Sequence, residues 1–200
     1  MANAQNETVV QYKEGLIQIS KLEAFIDKSK KLTIEDVKNK KFSPHKTSFS
    51  ITNSAIWAKI RIENLSDSDS IFLEIKNPVL FDLSFYTVSI DSVFNSLFLG
   101  RKYKFSERII GEVTSFVYPV FIPRASVSTV FMRIDSYTPI HLPLYLGKKE
   151  LIIKNNLDVV LKMGIYIGVV LIMLFYNLFI SFTVKDNSYY YYVVYIIFVG

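Results

Sequence analysis

The sequence predicts a mainly β protein: a jelly-roll-like antiparallel β-sandwich domain followed by transmembrane α-helices. Three observations carry that expectation. Apolar and polar residues alternate with period two through much of residues 16–146, as in strands with one buried face. Clusters of Asn, Asp, Ser, Gly and Pro break the alternation into short runs, as in all-β folds. Residues 159–184 (VVLKMGIYIGVVLIMLFYNLFISFTV) are then apolar on every side, with one charge, Lys162. As a helix at about 1.5 Å per residue they extend roughly 39 Å. A bilayer core is about 30 Å thick, so the segment spans it with some tilt.

The strands follow from the alternation. Ile56, Ala58, Ile60 and Ile62 alternate with Trp57, Lys59, Arg61 and Glu63. Ile71, Leu73 and Ile75 alternate with Phe72, Glu74 and Lys76, and Val130, Met132 and Ile134 with Thr129, Arg133 and Asp135. Ile140, Leu142, Leu144 and Leu146 form a fourth apolar phase. Further strands are expected near 16–20, 48–52, 83–89, 94–99 and 113–121. The turns between them lie at 64–69, Asn77-Pro78, Gly100, Gly111 and Pro123-Arg124. One short helix is expected at 34–40. Thr33 opens a capping-box-like T-I-E-D with Asp36 at its third helical position, and Pro44 stops any continuation.

Composition narrows the chemistry. The chain has 200 residues, a net charge of +5 and no cysteine. Disulfides, thiol catalysis and Cys-ligated metals are therefore excluded. The two histidines, His45 and His141, are far apart and in no metal-ligand spacing, and no cofactor is expected. The most basic patch is Lys28, Lys30, Lys31, Lys38, Lys40, Lys41 and Lys46. It lacks the interleaved Arg and aromatics of a nucleic-acid surface and reads as a solvated face. The expected organisation is an N-terminal tail at 1–9, a sensor domain at 10–148, a linker at 149–158, a membrane helix at 159–184 and a second at 188–200. Ala2-Asn3-Ala4 has the small-x-small form that precedes signal-peptide cleavage. It is either a remnant of such a peptide or a chance match.

Ring-bearing and charged residues recur on the polar phase of the strands: Trp57, Arg61, Tyr86, Phe131, Arg133, Asp135, His141 and Tyr145. Aromatic faces beside charged groups suit a sugar or small polar ligand. The same rings could equally pack under loops or against the second sheet. Arg101 and Arg108, around Tyr103-Lys-Phe105, either bind an anionic ligand or pair with Glu107 or Glu112.

Gly164 and Gly168 form a small-xxx-small pair that lets another helix approach closely. Asn177, deep in the apolar run, is costly to leave facing lipid and should face a neighbouring helix or polar cavity. Tyr189 to Tyr192 fit an interfacial belt opening the second helix. That helix is expected to continue in a longer protein. Lysines 148, 149, 154 and 162, against Lys185, would by a simple count place the first domain in the cytoplasm. Large domains carrying a signal peptide are translocated regardless of such a count.

In order along the chain, several pieces resemble one family. They are Leu32-Thr-Ile-Glu-Asp-Val37, Phe42-Ser-Pro44, Trp57 with Arg61-Ile-Glu-Asn64, Asn77-Pro78, Asp82, Tyr86, Gly100-Arg101, Arg108 and Pro143-Leu-Tyr-Leu146. Gly164-Ile-Tyr-Ile-Gly168, Tyr176-Asn177, Lys185-Asp186 and Tyr189 to Tyr192 continue the series. The chain resembles the bacterial seven-transmembrane receptors with diverse intracellular signalling modules (7TMR-DISM), at their type 2 extracellular domain and the start of the seven-helix region. The resemblance implies an ectodomain outside the cytoplasmic membrane that binds carbohydrate or another small ligand. It also implies further helices and a cytoplasmic output module, such as a kinase, cyclase or phosphatase.

The expected function is therefore ligand sensing by a bacterial transmembrane receptor, with the lipid bilayer and a small-molecule or carbohydrate ligand as partners and a homodimer as one assembly open to it. The candidate ligand-binding residues are Trp57, Arg61, Tyr86, Arg101, Arg108 and Tyr137. The alternative is a membrane-tethered carbohydrate-binding or adhesion module without signalling output. An enzyme in this segment is not expected: a glycosidase would need two carboxylates across a cleft, and Glu63, Glu74 and Asp135 are candidates by residue type only.

Overall fold

A computed structural model describes residues 9–89, 92–111, 113–184 and 187–199. In chain order the elements are β1 (Val9–Tyr12), β2 (Ile17–Ile19), β3 (Lys21–Asp27), α1 (Ile34–Val37), β4 (Ser43–Lys46), β5 (Ser48–Phe49), β6 (Ala55–Asn64) and β7 (Ser70–Ile75). They continue with β8 (Asp82–Ser89), β9 (Ser92–Leu99), β10 (Phe116–Phe121), β11 (Ser126–Asp135), β12 (Ile140–His141), β13 (Leu144–Gly147), α2 (Lys149–Val184) and α3 (Asn187–Val199). Two compact units result, Met1–Ile153 and Lys154–Gly200.

In the first unit a large sheet runs β4-β3-β6-β11-β8-β9 and a smaller one β10-β7-β13-β2. All their pairings are antiparallel except that of β1, which runs parallel to β6 along Arg61–Asn64 where β3 has ended. The two sheets share one core. Ile56, Ala58, Ile60, Ile62, Val130, Met132, Ile134 and Phe85 come from the large sheet, and Ile71, Leu73, Ile75, Tyr118, Val120, Leu144 and Leu146 from the small one. These are the apolar phases of the alternation, so the mainly β sandwich is as expected, and its strand order is compatible with a jelly-roll-like wiring. Tyr118 stacks on Phe85 at 4.7 Å between ring centroids, and its hydroxyl lies 2.8 Å from that of Thr87. Burial raises the Tyr118 pKa.

Some strands escape a period-two reading. β1, β3 and β4 were not expected, and β4 carries Pro44 with every residue exposed. It is an edge strand, where a missing N–H is tolerated. The capping arm of Asp36 forms, accepting from the Thr33 backbone N–H at 2.8 Å and its hydroxyl at 2.7 Å. These bonds hold the Asp36 carboxyl below its usual pKa. The helix itself stops at Val37.

The outer faces are not left to solvent. Residues 28–42 lie over the large sheet as a strap, and Val37 and Phe42 bury Trp57 and Phe131 beneath them. On the small sheet, Ile110, Val113 and the first-turn residues Ile152 and Ile153 of α2 cover Val117 and Phe72. Residues 149–158, expected as a linker, are helical and continuous with the apolar stretch.

In the second unit α2 exposes apolar side chains all round, among them Leu161, Ile165, Ile172, Phe175 and Phe179, as suits a lipid-facing helix. It is long and apolar enough to cross a membrane. Asn177 is 9% exposed and donates to the Met173 carbonyl at 2.7 Å. With Ser188, Tyr189 and Tyr192 it lines a cavity of about 420 Å³. A Cβ on Gly164 or Gly168 would meet nothing within 4 Å.

Candidate ligand site on the outer face of the large sheet

Strand register assembles the site. One row across the outer face reads Phe25, Trp57, Arg133, Ser84, Phe98 on β3, β6, β11, β8 and β9. The next row reads Glu23, Lys59, Phe131, Tyr86, Ser96. Polar-phase residues from five strands thus share one face. The strap covers its β3–β6 side and stops short of β8 and β9. There a cavity of about 400 Å³ opens.

Arg133, Ser84, Tyr86 and Phe98 form its floor, and the strap supplies one wall with Lys30, Leu32, Thr33 and Ile34. The opposite wall is Asp82, Lys102 and Tyr103. The strap wall is set by Asp27, 2% exposed. Its carboxylate accepts from the Ser29 hydroxyl at 2.6 Å, the Ser29 N–H at 2.9 Å and the Leu32 N–H at 3.1 Å. Burial alone would raise the Asp27 pKa, but these bonds outweigh it and hold the pKa below 3.8. The turn puts Lys30 at φ 57°, a costly conformation for a non-glycine residue. The Arg133 guanidinium secures it, donating to the Lys30 carbonyl at 3.0 Å.

The opposite wall depends on Gly100. Its φ is +127°, and a Cβ there would lie 2.3 Å from the Phe81 carbonyl oxygen. Only glycine lets β9 turn this close to the start of β8. The Arg101 N–H then donates to the Leu80 carbonyl and the Lys102 N–H to that of Phe81, at 2.9 and 3.1 Å. Lys102 and Tyr103 are thereby brought to Asp82, at 3.0 and 3.4 Å. The Asp82 hydrogen bond raises the Lys102 pKa. Burial, then the Asp82 charge, raises that of Tyr103. Across the cavity, Lys30 meets Asp135 at 3.0 Å, and Arg133 lies 3.9 Å from the same carboxylate.

The six residues expected from sequence separate here. Tyr86 lines the cavity. Tyr137 stands beside it, 73% exposed, with Lys30 Nζ 5.8 Å from its ring and Phe81 packed at 5.2 Å. Trp57 is fully buried, stacked at 5.9 Å under Tyr86. It supports the floor because the strap encloses it. Arg61 stands opposite Thr129, four residues along β6 from Trp57, roughly 13 Å at about 3.3 Å per residue. Arg101 is exposed and outside the cavity wall.

Arg108 is elsewhere too. Its guanidinium lies over Phe105 and Phe116 at 4.5 and 4.7 Å and donates to the Thr114 carbonyl at 2.7 Å. Burial draws its pKa below the usual arginine value. Glu112 lies outside the described residues.

Lys30, Asp82, Ser84, Phe98, Lys102, Tyr103 and Arg133 were not among the expected ligand residues. Arg133 was visible on the polar phase, but only strand pairing shows that it adjoins Ser84 and Phe98. Among the described residues no His, Asp or Glu group could hold a metal ion.

The comparisons agree with the two units. Residues 20–148 match the family described as 7TMR-DISM extracellular 2, and residues 160–200 match 7TM diverse intracellular signalling. No curated protein matches the chain. The first match covers the sandwich from β3 to β13 and the second runs from the apolar part of α2 through α3, so this chain belongs to the 7TMR-DISM receptors and joins their type 2 extracellular domain to membrane helices of the signalling region.

Proposed function

We propose that the sandwich is the ligand sensor of a receptor in the cytoplasmic membrane, binding carbohydrate or another small polar ligand at the strap-walled cavity. The observation that supports this most is the cavity's composition. Three rings, Tyr86, Phe98 and Tyr103, lie beside three cations and a carboxylate, and aromatic rings with a few convergent polar groups characterise small-ligand sites. Occupancy would favour one arrangement of the strap over another, and differential binding of two states is what lets a ligand shift a helix bundle. Gly164 and Gly168 leave α2 open to close approach by another membrane helix, in the same protein or in a homodimer. The output module lies outside this segment.

The test is a thermal-shift screen of the full chain in detergent micelles against mono- and oligosaccharides and small polar metabolites. A ligand that binds the folded state raises the melting temperature. Tyr86→Ala, which removes a half-exposed ring, should abolish that rise. A ligand that stabilises Tyr86→Ala as much as wild type sinks the cavity as the site.

A further inference from the structure

Three cationic side chains, Lys30, Lys102 and Arg133, line the cavity, and Asp82 is the one carboxylate among its lining residues. These three cations face two carboxylates, Asp82 and the adjoining Asp135, so one positive charge is in excess. Lys102 keeps half its side chain exposed while bonded to Asp82, and Lys30 and Arg133 divide Asp135 between them, at 3.0 and 3.9 Å. The excess positive charge thus lies in a concave site beside the Tyr86 and Phe98 rings, and a cleft with one sign of charge in excess attracts ligands of the opposite sign.

We infer that this cavity selects an anionic hydroxylated ligand, a carboxylate-bearing sugar or similar polyol, over its neutral counterpart. The carboxylate would be met by Lys102, Arg133 and Lys30. Asp82, already accepting from Lys102 and Tyr103, would accept from a ligand hydroxyl. Tyr86 and Phe98, edge-to-face at 86°, would form a corner for the apolar side of the ligand. A carboxylate held by Arg133 and Lys30 competes with Asp135 for the same N–H groups. It therefore replaces one anion by another at the clasp that ties the strap, through Lys30, to β11. This inference rests on the cavity being the ligand site.

Isothermal titration of the full chain in micelles with glucuronate, glucose and acetate tests it. Glucuronate should bind at least about tenfold more tightly than either, since charge-assisted hydrogen bonds contribute roughly 1.5–3 kcal/mol. Raising the salt concentration should weaken glucuronate binding and leave glucose binding unchanged. Lys102→Gln, at a half-exposed side chain, should cost glucuronate about tenfold and leave glucose unaffected. Lys30→Gln checks the strap side by the same comparison. Glucose binding as tightly as glucuronate, with both lost in Tyr86→Ala, overturns the charge selection and leaves the cavity as the sensor site. Acetate equal to glucuronate overturns the polyol component. Glucuronate binding that Lys102→Gln and Lys30→Gln leave intact, or no binding of any probe, overturns the inference outright.

Discussion

Trp57 shows why a residue's phase on a strand does not settle its role. It falls on the polar side of β6, yet the strap buries it completely. Replacing a buried Trp with Ala costs roughly 3–5 kcal/mol, so Trp57→Ala should lower the urea midpoint sharply. The indole N–H donates to no atom among the described residues. Trp57→Phe should therefore keep the stack with Tyr86 and lie within about 1 kcal/mol of wild type, because it removes an unsatisfied donor. Equal urea midpoints for Trp57→Ala and wild type would refute the burial account. Asp27 carries a pH prediction. Its folded pKa lies below 3.8, so its contribution is complete above the unfolded value and is lost as pH falls through the folded one. Asp27→Asn should flatten the acid limb of the stability profile below about pH 4 and loosen the strap, read as faster amide exchange at Ser29 and Leu32.

At the scale of elements, the cavity depends on two short connections whose geometry is demanding. One is the strap turn with Lys30 in the left-handed region, tied by Arg133. The other is the β9 exit at Gly100. Gly100→Ala has nowhere to place its methyl, since the obstacle is backbone rather than a flexible side chain. It should destabilise the chain by more than about 1 kcal/mol, and any folded protein should lose ligand affinity as Lys102 and Tyr103 move from Asp82. Normal stability and binding in Gly100→Ala would refute this account of the wall. Gly100 is a turn signal in the sequence, and the capping arm at Thr33 was also readable there. The strap was not, because nothing local in 28–42 shows which surface Val37 and Phe42 will cover.

For the whole molecule, the sandwich depends on docking two sheets, and Thr87 and Tyr118 supply a buried hydrogen bond between them. Tyr118→Phe should cost about 1 kcal/mol, seen as a lower melting temperature of the full chain in micelles. An unchanged melting temperature would mean that apolar packing alone, including the Phe85 stack, holds the sheets at that point. The apolar phases of β6, β7 and β11 and the apolar stretch of α2 were legible in the sequence, because burial repeats at the period of a strand and a membrane-length helix is apolar on every side. Which polar-phase residues meet was not. Phe25, Trp57, Arg133, Ser84 and Phe98 form one row only through the pairing of strands from distant parts of the chain. Hydrophobic periodicity assigns each residue a face, whereas strand order, register and the strap are long-range contacts. Those contacts make Tyr86 a cavity residue, Trp57 its support and Arg108 part of a separate aromatic clamp.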